Sequence, residues 1–254
     1  MEYVLETKDI RKKINGKTIL DGVSLSVKEG EVVVILGPSG SGKTTFLRTL
    51  NFLNPADSGT VNIAGTVVDS ARHTKKSVLK LRRKTGMVFQ NYNLFKNRTV
   101  IQNITDGLTV VRKIKKEEAR NRAMELLERV NLTDKADSYP GQLSGGQQQR
   151  VGICRALALQ PKVILFDEPT SALDPELVGG VLNVMRDVAS TGITMIVVTH
   201  EIRFARDVAD TVVYMEDGKI VESGSPKDVL DKPKNEKTIR FLRSLLNDYS
   251  EYYI

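Results

Sequence analysis

Gly37-Pro38-Ser39-Gly40-Ser41-Gly42-Lys43-Thr44 is a run whose residue types and spacing can do chemistry. It fits G-x-x-x-x-G-K-[ST], the pattern of a loop that cradles phosphate. The glycines let backbone N–H groups close around phosphate oxygens. The Lys43 ammonium can reach the terminal phosphates, and the Thr44 hydroxyl can ligate Mg²⁺. The flanks fit as well. Glu31 to Leu36 is a short apolar run of the kind a buried parallel strand needs. Thr45 to Leu50 opens a helix, whose N-terminus adds partial positive charge. A plain glycine turn beside a surface lysine would need neither flank. Gly37 through Thr45 are therefore the candidate nucleotide contacts.

Two further constellations carry chemistry. In Val163-Ile-Leu-Phe-Asp167-Glu168, an apolar strand ends in two carboxylates. Ligands of open α/β sheets bind at that end of a strand. Asp167 is the candidate Mg²⁺ ligand, and Glu168 the group that polarises a water for attack on a phosphate. Alone, the pair could simply cap a strand; beside a phosphate loop it points to hydrolysis. In Leu143-Ser144-Gly145-Gly146-Gln147, Ser144 suits a helix N-cap and the glycines leave backbone N–H groups open. That makes a second anion site. One loop already serves one nucleotide, so the second site calls for a second subunit.

Elements must position these residues. Residues 3–8, 17–27 and 60–69 read as short strands, with turns at Asn15-Gly16 and Ala64-Gly65. They predict a small antiparallel sheet. Residues 31–36, 86–90, 162–167 and 193–199 read as buried strands, and 45–52 and 76–84 as helices. Residues 91–160 differ in character. Ala119, Ala123, Met124, Leu127 and Val130 recur at helical spacing, and a second helix starts at Gly146. This stretch reads as a mostly helical insertion in one domain spanning 1–254. Residues 175–190 and 236–247 predict amphipathic helices, Ser225-Pro226 a helix start, and Asp217-Gly218 a tight turn between two strands. The tail is too short for an added regulatory domain.

Bulk properties narrow the class. The chain has 254 residues, 40% hydrophobic and 27% charged, which suits a soluble globular protein. No run approaches the ~18 apolar residues of a membrane span. The start, Met1-Glu-Tyr-Val-Leu-Glu, is acidic and alternating, unlike a signal peptide. The single Cys154 fits a reducing compartment, so a cytosolic location is expected. The net charge of +7 would suit nucleic acid or anionic lipid. The densest basic runs, Lys75-Lys76, Arg82 to Lys84 and Arg112 to Lys116, lack the interleaved aromatics of a nucleic-acid platform, and each by itself reads as a solvated face. His73, inside one charged run, reads as solvated too.

The whole chain resembles the ATP-binding subunit of an ABC transporter. Leu143 to Gln147 resembles the signature that separates this family from other phosphate-loop proteins, and the motifs stand in the family's order. The resemblance implies a P-loop α/β fold with a mainly parallel sheet, an N-terminal antiparallel β subdomain and a helical subdomain. It implies roles for single residues. Gln90, in Val88-Phe-Gln-Asn-Tyr, would contact Mg²⁺ and the attacking water and couple the site to a membrane partner. Asp174, in Ser171-Ala-Leu-Asp, would belong to the D-loop, and His200 would sense the γ-phosphate. Ile14 stands where the family usually has an aromatic that stacks on adenine. The implied assembly is a homodimer with ATP and Mg²⁺ between Lys43 of one copy and Ser144 and Gly146 of the other. It would sit on the cytoplasmic face of the membrane with two permease subunits and an extracytoplasmic binding protein; nucleic acid is not expected. Leu50-Asn-Phe-Leu, Val88 to Phe95 and Pro169 to Glu176 resemble importers of polar amino acids. The rivals are ABC-type ATPases for other cargo, or soluble ones acting on DNA or ribosomes.

Overall fold

The computed structural model describes residues 3–250. Met1 and Glu2, part of the acidic start, and residues 251–254, the end of the tail, lie outside that range. The chain forms two compact units, one running to Arg82 and resuming at Thr194, the other Arg83–Ile193. Among the described residues, no helix is long and apolar enough to cross a membrane.

Elements are numbered along the chain. The first unit holds β1 (Tyr3–Ile14), β2 (Lys17–Lys28), β3 (Val32–Leu36), α1 (Lys43–Leu50), β4 (Ser58–Ile63), β5 (Thr66–Asp69) and α2 (Lys75–Arg82). After the second unit it continues with β8 (Thr194–Val198), α7 (Ile202–Val208), β9 (Thr211–Glu216), β10 (Lys219–Gly224) and α8 (Glu236–Ser250). The expected antiparallel sheet is present, in the order β2-β1-β4-β5. Its turns need positive φ at both central residues, as two-residue hairpins do: 51° and 79° at Asn15-Gly16, 46° and 77° at Ala64-Gly65. β1 runs six residues beyond the expected strand because its polar half finds partners. The Asp57 carboxylate accepts from the Lys13 N–H at 2.6 Å and from Lys12 Nζ at 3.1 Å.

In the same unit β3 lies between β9 and β8, parallel to both, with β10 antiparallel on β9. Every residue of β3 and β8 is buried, as their unbroken apolar runs predict. Phe46, Leu47 and Leu50 of α1 are buried as well. The Ser225-Pro226 signal yields only a π-helical turn, Lys227–Asp231. Ser225 Oγ accepts from the Asp228 N–H at 3.2 Å, and Pro233 follows too soon for a longer helix. His73 is exposed, yet its ring lies 5.3 Å from that of Phe52.

The second unit holds β6 (Thr85–Val88), α3 (Val100–Asp106), α4 (Lys116–Arg129), α5 (Gly145–Ala158), β7 (Val163–Asp167) and α6 (Pro175–Ser190). α4 buries Ala119, Ala123 and Leu127, the stripe expected from their spacing. α6 buries Val181, Leu182, Met185 and Val188. α3 is a separate helix within the stretch read as mostly helical, and its capping box, Thr99 with Gln102, is its sequence signal. Burial pushes the Cys154 thiol up to about 12, so this residue is an inert part of the core.

Candidate active site

The phosphate loop bridges β3 and α1. Gly37 begins it at φ 149°, where an added Cβ would stand 2.0 Å from Met215 O. Gly42 ends it at φ 98°, where a Cβ would come within 2.8 Å of Ile19 O. Neither site admits a side chain, because the obstacles are backbone atoms. Lys43 is 4% exposed, and its ammonium donates to Gly37 O at 2.8 Å and Pro38 O at 2.9 Å. The charge is thus held inside the loop's curve. Ser41 Oγ is buried and has no hydrogen-bond partner among the described residues. A buried hydroxyl in such a loop fits an anionic oxygen, which would satisfy it. Ser39 and Gly40 are exposed at the loop's crest, and Thr44 and Thr45 are half-buried.

One residue outside the loop holds it. Gly218, read from sequence only as a turn residue, donates its N–H to Ser41 O at 3.1 Å, and its own carbonyl accepts from the Asp21 N–H. Its φ of 73° and the 2.4 Å that a Cβ would have to Ile19 O restrict it to glycine. His200 is placed by register. Ile35 pairs with Val198 across the parallel β3–β8 ladder. Gly37 and His200 each follow two residues later, beyond the C-terminal ends of β3 and β8. Ile14 is 40% exposed at the tip of the β1–β2 hairpin, paired with Lys17.

In the second unit, register brings another pair together. Val88 faces Phe166 in the parallel β6–β7 ladder, and Gln90 and Glu168 each follow two residues later. Asp167 is the last residue of β7 and is 1% exposed. Glu168 is half-buried and has φ 46°. That is a left-handed backbone in a residue with a Cβ, and such strain gathers at functional positions. Its turn is fixed by the Ser171 N–H, which donates to Glu168 O at 3.2 Å, and by Ser171 Oγ, which donates to Glu168 Oε2 at 3.1 Å.

Ser144 caps α5 in the expected way. Its Oγ accepts from the Gln147 N–H at 3.3 Å, and Gln147 Oε1 accepts from the Ser144 N–H at 2.9 Å. The glycines here have a second reason. A Cβ at Gly145 would meet the Tyr92 hydroxyl at 2.6 Å and Leu173 at 3.1 Å; one at Gly146 would meet Leu177 at 3.3 Å. Tyr92 also donates its hydroxyl to Ala172 O at 2.9 Å. Burial and the Asp174 charge push its ionisation upward, so it remains a donor. Arg155 of α5 donates to Asn93 O at 2.6 Å and Tyr92 O at 3.1 Å, and Gln149 to Phe89 O at 3.1 Å. One helix thus carries Ser144 at its start and grips the segment around Gln90 with its body. Sequence reading missed Tyr92, Gln149 and Arg155, because a tyrosine in a loop and polar residues in a helix carry no local mark of these contacts. Asp174 N-caps α6, without a side-chain hydrogen bond to that helix.

The ABC transporter family description matches residues 20–171. The chain belongs to that family. Curated relatives extend the likeness over nearly the whole ABC ATPase. It is 53% identical to the L-cystine import ATP-binding protein TcyN of Bacillus subtilis (strain 168), over 97% of this chain and 95% of that one. It is 50% identical to the arginine transport ATP-binding protein ArgV of Corynebacterium glutamicum, over 96% and 99%. Among solved structures, the dimeric ATP-binding cassette MJ0796 bound to ADP and Pi matches with a TM-score of 0.76 and 36% identity, covering 87% of this chain and 98% of that chain. The cassette cbiO1 from Clostridium perfringens, part of the transporter complex cbiONQ, matches with a TM-score of 0.80 and 30% identity, covering 99% of both chains. As an ABC ATPase the chain binds ATP and hydrolyses it. A magnesium ion suits its donor set. Thr44, Gln90 and Asp167 each carry an oxygen donor, and Mg²⁺ characteristically takes one or two such protein groups and fills its shell with phosphate oxygens and water.

Proposed function

We propose that this chain is the ATP-hydrolysing subunit of an importer for polar amino acids and acts as a homodimer. Its near-full-length identity to cystine and arginine import ATPases carries the reading. Lys43 and the N–H groups of Gly37 and of Ser39 to Thr45 hold the phosphates, and Ile14 lies against the base. Asp167, Thr44 and Gln90 are the groups that would hold Mg²⁺, which supplies charge neutralisation at the phosphates. Glu168 accepts the proton of the water that attacks the γ-phosphorus, as the bond to the ADP oxygen breaks. His200 donates to the γ-phosphate and reports its presence. The second copy contributes Ser144, Gly145, Gly146, Gln147 and Asp174. The γ-phosphate favours the closed dimer because only there does this second anion site contact it.

Closure does no transport unless a membrane protein harnesses it. The helical stretch 91–160, an inserted subdomain of a single 1–254 ATPase, and Gln90 pass the motion to two permease subunits at the cytoplasmic face. An extracytoplasmic amino-acid-binding protein delivers the cargo. The test is uptake of a labelled amino-acid panel in cells carrying Lys43→Ala. Import of at least one polar amino acid is expected to stop. Loss of sugar, metal or lipid uptake with every amino acid unaffected would refute the cargo class and leave the ATPase intact.

A further inference from the structure

The surface of α2 breaks two electrostatic rules at once. Lys75 and Lys76 occupy its first turn, and no acid is there, although the N-terminus of a helix disfavours cations. Lys76 and Lys80 stand at i and i+4, a like-charge spacing that destabilises a helix by a few tenths of a kcal/mol. No acid in the adjoining sequence relieves them. No Asp or Glu occurs between Asp69 and Asp106. Arg72, Lys75, Lys76 and Lys80 are exposed, and none of them makes an ion pair among the described residues. Cations elsewhere on this unit do pair: Arg11 with Asp9 and Asp21, Lys219 with Asp21, Arg206 with Asp231. The inner side of α2 is anchored by buried Val78 and Leu81, and Ser77 and Thr74 cap its start. The cationic side is therefore held outward on a fixed element. In its midst Leu79 is 58% exposed.

We infer that this face of α2 rests directly on anionic phospholipid headgroups. The charge is complementary, and an external anion removes both violations. Leu79 decides between anions. An aliphatic side chain ringed by lysines suits the boundary of headgroup and acyl chain, whereas a nucleic-acid platform stacks bases on aromatics, of which this face has none. The inference goes beyond docking on a permease, since it needs no protein partner. It supplies the ATPase with a second, weak attachment that pre-orients it at the membrane.

The test uses the purified chain and sedimentation with vesicles of equal parts phosphatidylglycerol and phosphatidylcholine, against phosphatidylcholine alone. Binding to the first, falling with salt, and none to the second are expected. Each cation near an anionic surface strengthens binding about five-fold, so Lys75→Gln/Lys76→Gln/Lys80→Gln lowers partitioning on the order of 100-fold. The triple Lys→Arg variant retains it. Basal ATP hydrolysis is expected to be unchanged in both, which separates failure here from failure of the ATPase reading. Equal vesicle binding by the Gln variant, or no binding by the unchanged chain, overturns the proposal. So does a loss confined to duplex DNA binding, which would assign the face to nucleic acid.

Discussion

Glu168 combines a carboxylate at a strand end with a left-handed backbone, held by Ser171. Removing the charge and keeping the shape isolates its chemistry. Glu168→Gln is expected to bind ATP normally and to lose turnover on the order of 10²-fold or more, the scale of a lost general base. ATP would then trap a dimer visible by size-exclusion chromatography; normal hydrolysis would reject the assignment. Tyr92 offers a second test. Gly145→Ala should by helix propensity gain up to about 1 kcal/mol, but its Cβ would stand 2.6 Å from the Tyr92 hydroxyl. A net loss in thermal or denaturant unfolding is therefore expected. Tyr92→Phe alone should cost about 1 kcal/mol through the bond to Ala172 O. In the double variant the nearest ring atom is at 3.4 Å, so Tyr92→Phe should rescue Gly145→Ala. Additive losses would mean that the hydroxyl does not define this space.

At the scale of elements, the phosphate loop depends on a hairpin from the far end of the sequence. The β9–β10 turn supplies the Gly218 N–H to Ser41 O. Gly218→Ala would place a Cβ 2.4 Å from Ile19 O at φ 73°, a strain of roughly 1–3 kcal/mol. A fall in Tm of several degrees, together with weaker ATP binding by titration, is expected. An unchanged ATP affinity would show that the turn merely adjoins the loop. In the second unit α5 serves two ends at once, capped at Ser144 and bonded through Gln149 and Arg155 to the segment around Gln90. A rigid helix lets the two ends shift together, which is a physical route for coupling.

At the scale of the whole molecule, the dimer can be tested by complementation. Ser144→Arg alone is expected to bind nucleotide through its intact loop and to hydrolyse almost none. Lys43→Ala alone is expected to lose nucleotide. Mixed together they form some dimers with one doubly defective site and one unaltered site. ATPase activity in the mixture above that of either variant is the expected result. Normal hydrolysis by Ser144→Arg alone would show that no second copy contributes to the site.

The sequence by itself determined the motifs and nearly all the elements that carry them. The phosphate loop, the Asp167-Glu168 strand end and the capped signature are local patterns, written within a few residues, and period-two and period-3.6 burial is local too. Even the three two-residue turns are legible, at Asn15-Gly16, Ala64-Gly65 and Asp217-Gly218. Relations between distant residues exist only in the folded chain. Parallel register, set by hydrogen bonds between strands far apart in sequence, paired Ile35 with Val198 and Val88 with Phe166, each two residues before a candidate site residue. Close approach made Gly218 obligatory and crowds Gly145, since the atoms that face their missing side chains, Ile19 O and the Tyr92 hydroxyl, belong to other elements. The polar half of β1 is a strand through its pairing with β2, and Asp57, more than forty residues away, adds a bond to its backbone. No local pattern encodes such a meeting, because the free energy that fixes it comes from burial and hydrogen bonding between segments that touch only once the chain has folded.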